Sequence, residues 1–152
     1  MEIVVIIVSM IPIFELRGGI PVAFILKLAW WKAFIFAIIG NLIPIPLILL
    51  LLDPISKYIR KAKFMDRFFE WLFTRSRKKT ESDIMKYGLF FGLMIFVAIP
   101  LPATGAWTGA LAAFVLGMKF RYAMPSIALG VLIAGVVVSI VTYGTATVIR
   151  ML

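Results

Sequence analysis

The chain has 152 residues, 63% of them hydrophobic and only 15% charged, with a formal net charge of +9 and a mean hydropathy of +1.09. So large an apolar fraction excludes a water-soluble domain of this size and marks an integral membrane protein. With no Cys and no His, disulfides, thiolate chemistry, Cys/His zinc sites and imidazole catalysis are excluded, and neither metal nor cofactor is expected.

Glu2–Ile13 reads as a short apolar helix of roughly 18 Å, a little over half of a ~30 Å hydrocarbon core. The run Pro12-Ile13-Phe14-Glu15-Leu16-Arg17-Gly18-Gly19-Ile20-Pro21 then interrupts it. A carboxylate and a guanidinium within an apolar stretch are costly in lipid, so they are expected to face a protein interior or a wet cavity. The flanking Pro and Gly predict non-helical backbone, which survives at that depth only where protein or water surrounds it. Pro21 suits the first turn of a second short helix running to about Leu28. Trp30, Trp31 and Lys32 form an interfacial belt. The predicted element is a re-entrant hairpin that enters to mid-membrane and leaves on the same side.

Ala33–Leu52 is long enough for a full span and carries Gly40-Asn41 and Pro44-Ile45-Pro46, which predict a kink. Asn41 either bonds across a helix interface or lines a pathway. Asp53–Lys86 holds ten of the 16 Lys and Arg and five of the seven acidic residues. Within it, Ile55–Phe73 has the apolar spacing of a helix lying on the membrane surface, and Arg75–Asp83 an exposed turn. The positive-inside tendency puts this linker in the cytoplasm, and anionic lipid is the nearer partner than nucleic acid, which is not expected to bind. Lys86–Ile99 is another short apolar helix, ending in Pro100-Leu101-Pro102-Ala103-Thr104-Gly105-Ala106-Trp107-Thr108-Gly109. A further short arm runs to about Leu116, and Tyr122–Ile149 is a long final span with small residues on one face.

The halves resemble each other: Ile11-Pro12 aligns with Ile99-Pro100 and Gly40 with Gly130. The expected fold is all-α and integral to the membrane, an inverted repeat of two re-entrant hairpins, each followed by a transmembrane helix. Residues 1–52 form the first repeat, 53–86 the cytoplasmic amphipathic linker and 87–152 the second repeat. A hairpin crosses zero times and a long span once, so the second half is inverted, with both termini outside. A competing arrangement lets each hairpin span as a kinked helix, giving parallel repeats with both termini inside. The paired Gly and Pro breaks favour hairpins.

Hairpins meeting tip to tip form a midplane substrate site in several transporter folds. Helix N-termini at the tips offer backbone N–H groups, and Arg17 offers a bidentate fork for phosphate or carboxylate. Glu15 is a candidate proton carrier in its low-dielectric setting, and first-helix carbonyls are candidates to hold a cation. A structural alternative has Glu15 and Arg17 pair with each other and lock the tips. The candidate binding residues are Glu15, Arg17, Gly18, Gly19, Asn41, Pro100, Pro102, Thr104, Gly105, Trp107 and Thr108.

The two motifs resemble the paired signatures of the small multidrug export protein family, a distant relative of the DedA (VTT, SNARE-associated) membrane proteins. That resemblance covers nearly the whole chain and implies the inverted hairpin pair. DedA-type proteins are associated with moving lipids or polyprenyl phosphate carriers between leaflets, coupled to ion gradients. It implies functional roles for Glu15 and Arg17, while the second motif has Thr104, Trp107 and Thr108 where DedA has arginine.

The expected function is therefore proton- or Na+-coupled translocation of an anionic lipid or amphiphile in the cell membrane. The alternatives are a small multidrug or amphiphile exporter and a non-transporting scaffold or stress factor. One Glu among scattered Thr makes no catalytic set, so no enzyme activity is expected. Two full spans shield two broken hairpins poorly, which predicts a homo-oligomer, with a dimer the expected size.

Overall fold

The computed structural model describes residues 1–59, 83–101 and 104–151, and in them the protein is helical throughout with no strand. Most of the expected surface helix Ile55–Phe73, most of the turn Arg75–Asp83, and Pro102 lie outside the described residues. Among the described residues seven helices follow in order: α1 Glu2–Met10, α2 Glu15–Ile25, α3 Trp30–Leu42, α4 Pro44–Ile59, α5 Asp83–Ala98, α6 Ala106–Val115 and α7 Phe120–Met151.

α1 stops where Ile11 turns extended, with ψ at 130°, because a residue before proline is pushed out of the helical region. The break is shorter than the sequence predicts. It covers residues 11–14 only, and α2 starts at Glu15, so Gly18, Gly19 and Pro21 lie inside a helix. The glycines there serve packing. A Cβ on Gly18 would stand 2.7 Å from the Phe14 Cβ, and one on Gly19 would stand 1.8 Å from the Ser9 hydroxyl. Pro21 sits in the second turn, where it leaves the Arg17 carbonyl without a helical donor.

α2 ends in a Schellman-type cap with Lys27 in the left-handed region at φ 59°, the Leu28 N–H reaching back to the Ala23 carbonyl at 3.0 Å. α6 ends the same way on Gly117 at φ 66°, the Met118 N–H reaching the Ala113 carbonyl at 2.9 Å. α3 and α4 together form the first candidate span, Trp30–Leu52. Ile43 between them stays helical, so Pro44 marks a seam and not a turn. The second candidate span, Phe120–Thr145, lies within α7. α1, at nine residues and about 13 Å, is too short to cross a ~30 Å core.

The helix contacts of one half recur in the other. A Cβ on Gly40 would stand 2.4 Å from the Ile6 carbonyl of α1, and one on Gly130 would stand 2.7 Å from the Met94 carbonyl of α5. Gly19 meets Ser9 and Val5 as Gly109 meets Val97 and Leu93. Partners before the break are 88 positions apart and those after it 90 apart, the offset separating the two sequence motifs.

The core is built from small side chains that let helices close on one another: Ala23, Ala33, Ala37, Ala106, Ala110, Ala113 and Ala123 are all fully buried. Large apolar side chains such as Ile35, Ile39, Leu47, Leu50, Leu132 and Ile140 point outward. Two long apolar helices with an apolar exterior have the surface that hydrocarbon requires.

Candidate functional site

The two breaks meet. Glu15 opens α2 in the left-handed region at φ 47°, an uncommon state for a residue with a side chain, and is only 5% exposed. That turn sends its carboxylate to the N-terminus of α6, where Oε1 accepts the Trp107 backbone N–H at 3.2 Å. Gly105 leaves the space: a Cβ there would lie 1.9 Å from Glu15 Oε2. Its own backbone is extended, with φ at −174°, so glycine is needed for room and not for conformation. A helix normally begins with a Ser, Thr, Asp or Asn whose oxygen takes a free N–H. Here that position has no side chain, and a carboxylate from the other half of the chain does the work. Thr108 completes the cap by accepting the Gly105 N–H at 2.9 Å.

Arg17 takes the opposite end of the break. Its guanidinium donates to the carbonyl of Leu101, to that of Ile99 at 3.3 Å and to the Thr104 hydroxyl at 3.2 Å. Those carbonyls follow the C-terminus of α5, where the helix dipole is negative and acceptors lack intrahelical donors. The Thr104 hydroxyl lies 2.7 Å from the Ile99 carbonyl and 2.9 Å from that of Leu101, with one proton to give, and it accepts the Leu101 N–H.

The second half reciprocates. Trp107 Nε1 donates to the Met10 carbonyl at the end of α1, at 3.2 Å. Trp107 stands 90 positions after Arg17, and Gly105 stands 90 after Glu15. Arg17 and Trp107, at matching positions, thus each reach across to a helix end of the other half.

Five of the predicted residues, Glu15, Arg17, Thr104, Gly105 and Trp107, form this contact, with Thr108 behind it. Glu15 and Arg17 each bond to the second half and not to each other. Gly18 and Gly19 pack α2 against its own half. Pro100 is exposed in the break. Asn41 is fully buried in α3 with neither amide atom hydrogen-bonded, so no hydrogen bond joins it to the tips. Sequence reasoning missed the backbone acceptors Met10, Ile99 and Leu101, because their side chains are ordinary and only the helix ends expose the carbonyls.

Short apolar helices, two long apolar helices and a polar contact inside them define an all-helical membrane protein. Residues 15–137 match the family described as "Putative small multi-drug export protein", and the chain belongs to that family. The match runs from Glu15 to the middle of α7, takes in every residue of the tip contact except Met10, and carries no link to the DedA proteins. Comparison with curated proteins and with solved structures gives no match.

Proposed function

We propose that this protein exports small amphiphiles across the membrane, and that the crossed contact between the two breaks is its gate. One observation carries the proposal: charged side chains of the first half cap the helix ends of the second. In this reading α1 with α2, and α5 with α6, are re-entrant hairpins of an inverted repeat. The linker, Lys119 and Arg121 are cytoplasmic and both termini are outside. The shortness of the arms and the matching glycine contacts support it.

The Glu15 carboxylate occupies a position that suits any anion, at a helix N-terminus with free N–H groups. When the tips part, those N–H groups and the Arg17 fork become available to an anionic group of the cargo, including an anionic lipid head. A proton, or Na+, arriving as the carboxylate departs would couple export to an ion gradient. The outward apolar side chains suit lipid and a second copy of the chain, and a homodimer is the expected assembly. Neither nucleic acid nor enzyme chemistry enters this reading.

A second reading is favoured by the completeness of the capping. The charges then serve only to lock the tips of a non-transporting scaffold. Proteoliposome transport of 8-anilinonaphthalene-1-sulfonate, an anionic aromatic amphiphile, separates the two. The exporter reading predicts gradient-dependent transport that is lost in Arg17→Ala, with helix content and oligomeric state kept. The scaffold reading predicts no transport by the unmodified protein and misassembly of the variant. Transport undiminished in Arg17→Ala would remove the gate. Topology is tested by single cysteines at Glu2 and Lys27, which label from the same membrane face if the first half is a hairpin.

A further inference from the structure

Three neutral oxygens converge just past the end of α5. They are the carbonyls of Ile99 and Leu101 and the Thr104 hydroxyl, which lies 2.7 Å from the first and 2.9 Å from the second. We propose that Na+ binds these oxygens once Arg17 leaves them, and that the guanidinium is a tethered stand-in for the ion. Arg17 withdraws only if the tips part, so the site rests on the gate reading. Na+ seated there would keep Arg17 from resealing the tips, which is how the ion would be coupled to export.

Arg17 is held as an alkali ion would be. Its charge rests on carbonyl and hydroxyl oxygens and, among the described residues, on no carboxylate. Carbonyls past a helix end carry the negative side of its dipole, and broken membrane helices use such ends to coordinate Na+. The guanidinium is also an imperfect occupant, because its Nε is buried and has no partner among the described residues. An unmet buried donor is costly, and a spherical ion has none to satisfy.

The seat has supports of its own. The Leu101 N–H donates to the Ile99 carbonyl at 2.9 Å and the Thr104 N–H to the Leu101 carbonyl at 3.2 Å. Each carbonyl has two lone pairs, so these turn bonds fix its direction and leave capacity for a cation. Ile99 and Leu101 are exposed, which lets water reach the seat and complete the ion's coordination.

Charge and ligand type select the ion. Carbonyl and hydroxyl oxygens suit hard cations. A monovalent ion replacing a monovalent side chain leaves the charge of the site unchanged. A divalent ion would add a charge with no carboxylate among the three oxygens to receive it. Oxygens so close together suit Na+ over the larger K+. The first break lacks the hydroxyl: Phe14 stands 90 positions before Thr104, and the Met10 carbonyl takes a neutral indole N–H. The expected stoichiometry is therefore one ion per chain.

The test is equilibrium binding of radioactive Na+ to the full chain in phosphatidylcholine nanodiscs, with choline chloride holding the ionic strength. Expected is saturable binding at one ion per chain, displaced by unlabelled Na+ and only weakly by K+. Arg17→Ala should bind about tenfold more tightly, because charge-assisted bonds no longer have to break first. Thr104→Val should weaken binding about tenfold, and Thr104→Ser, which keeps the hydroxyl, should bind as the unmodified chain does. Unchanged binding in Thr104→Val would overturn the proposal whether or not Arg17→Ala folds. So would the absence of saturable binding to the unmodified chain, or a folded Arg17→Ala that binds no more tightly. Export is read separately, as 8-anilinonaphthalene-1-sulfonate transport by the unmodified chain. Na+ bound without transport keeps this site and counts against export alone, and transport without Na+ binding counts against this site alone.

Discussion

The two breaks occupy matching places in the halves and are built from opposite chemistry. The first carries Glu15 and Arg17, and the second carries Gly105 and Trp107 at the matching positions. The second break therefore receives a carboxylate on its positive helix end and a guanidinium on its negative one, while the end of α1 receives a neutral indole N–H. A similar contrast lies deeper. Ser9 and Asn41 of the first half are fully buried with unpartnered side-chain atoms, and their counterparts Val97 and Val131 are buried and apolar. Duplicated packing thus coexists with different polarity at these matching positions. Packing fixes how closely helices approach, and at the tips the charged residues of the first half join it to the second.

The largest expected effect tests the shared packing. Gly40→Ala and Gly130→Ala each drive a Cβ into a backbone carbonyl of the facing helix, which cannot rotate away. Each should destabilise by about 2–3 kcal/mol, read by unfolding in mild detergent, and tolerance of one alone would break the equivalence of the halves. Next comes the charge contrast. Arg17→Ala should cost about 2 kcal/mol and Trp107→Phe about 1 kcal/mol, since bonds from a charged donor are worth more than neutral ones. Equal losses would mean that the charge is immaterial to the tips.

Asn41→Val installs the counterpart's side chain and removes two buried polar atoms without a protein partner. It should raise stability by about 1 kcal/mol, and a simultaneous fall in transport would assign Asn41 to the pathway. The smallest effect is at the rim. The Lys32 ammonium, by hydrogen bond and charge, holds the Glu2 carboxyl below its ordinary value. A carboxyl lowered on folding contributes stability above its unfolded value and loses it as pH falls through the folded one. A slight acid-side loss of melting temperature should therefore disappear in Glu2→Gln.

Much of this architecture is legible from local chemistry. The Pro12 and Pro100 breaks, the short arms and the long spans follow from proline geometry and from apolar run lengths set against a bilayer. Glu15 and Arg17 stand out because charge is rare in such runs, and Gly105 and Trp107 because they interrupt the second. The start of α2 was not legible. Gly18, Gly19 and Pro21 look like breakers, yet the glycines are helical contact points, a distinction that depends on Ser9 and Phe14 pressing against them. The destination of the charges was hidden as well, because backbone carbonyls and N–H groups at helix ends have no residue signature.

The central claim is that the Glu15 carboxylate lies at the start of α6, in the space Gly105 leaves. The chain has no cysteine, so Glu15→Cys with Gly105→Cys can be oxidised in native membranes without competing thiols. The account predicts an intrachain disulfide, seen by mass spectrometry and lost on reduction. Two thiols that stay free under oxidation and react readily with maleimide would contradict it.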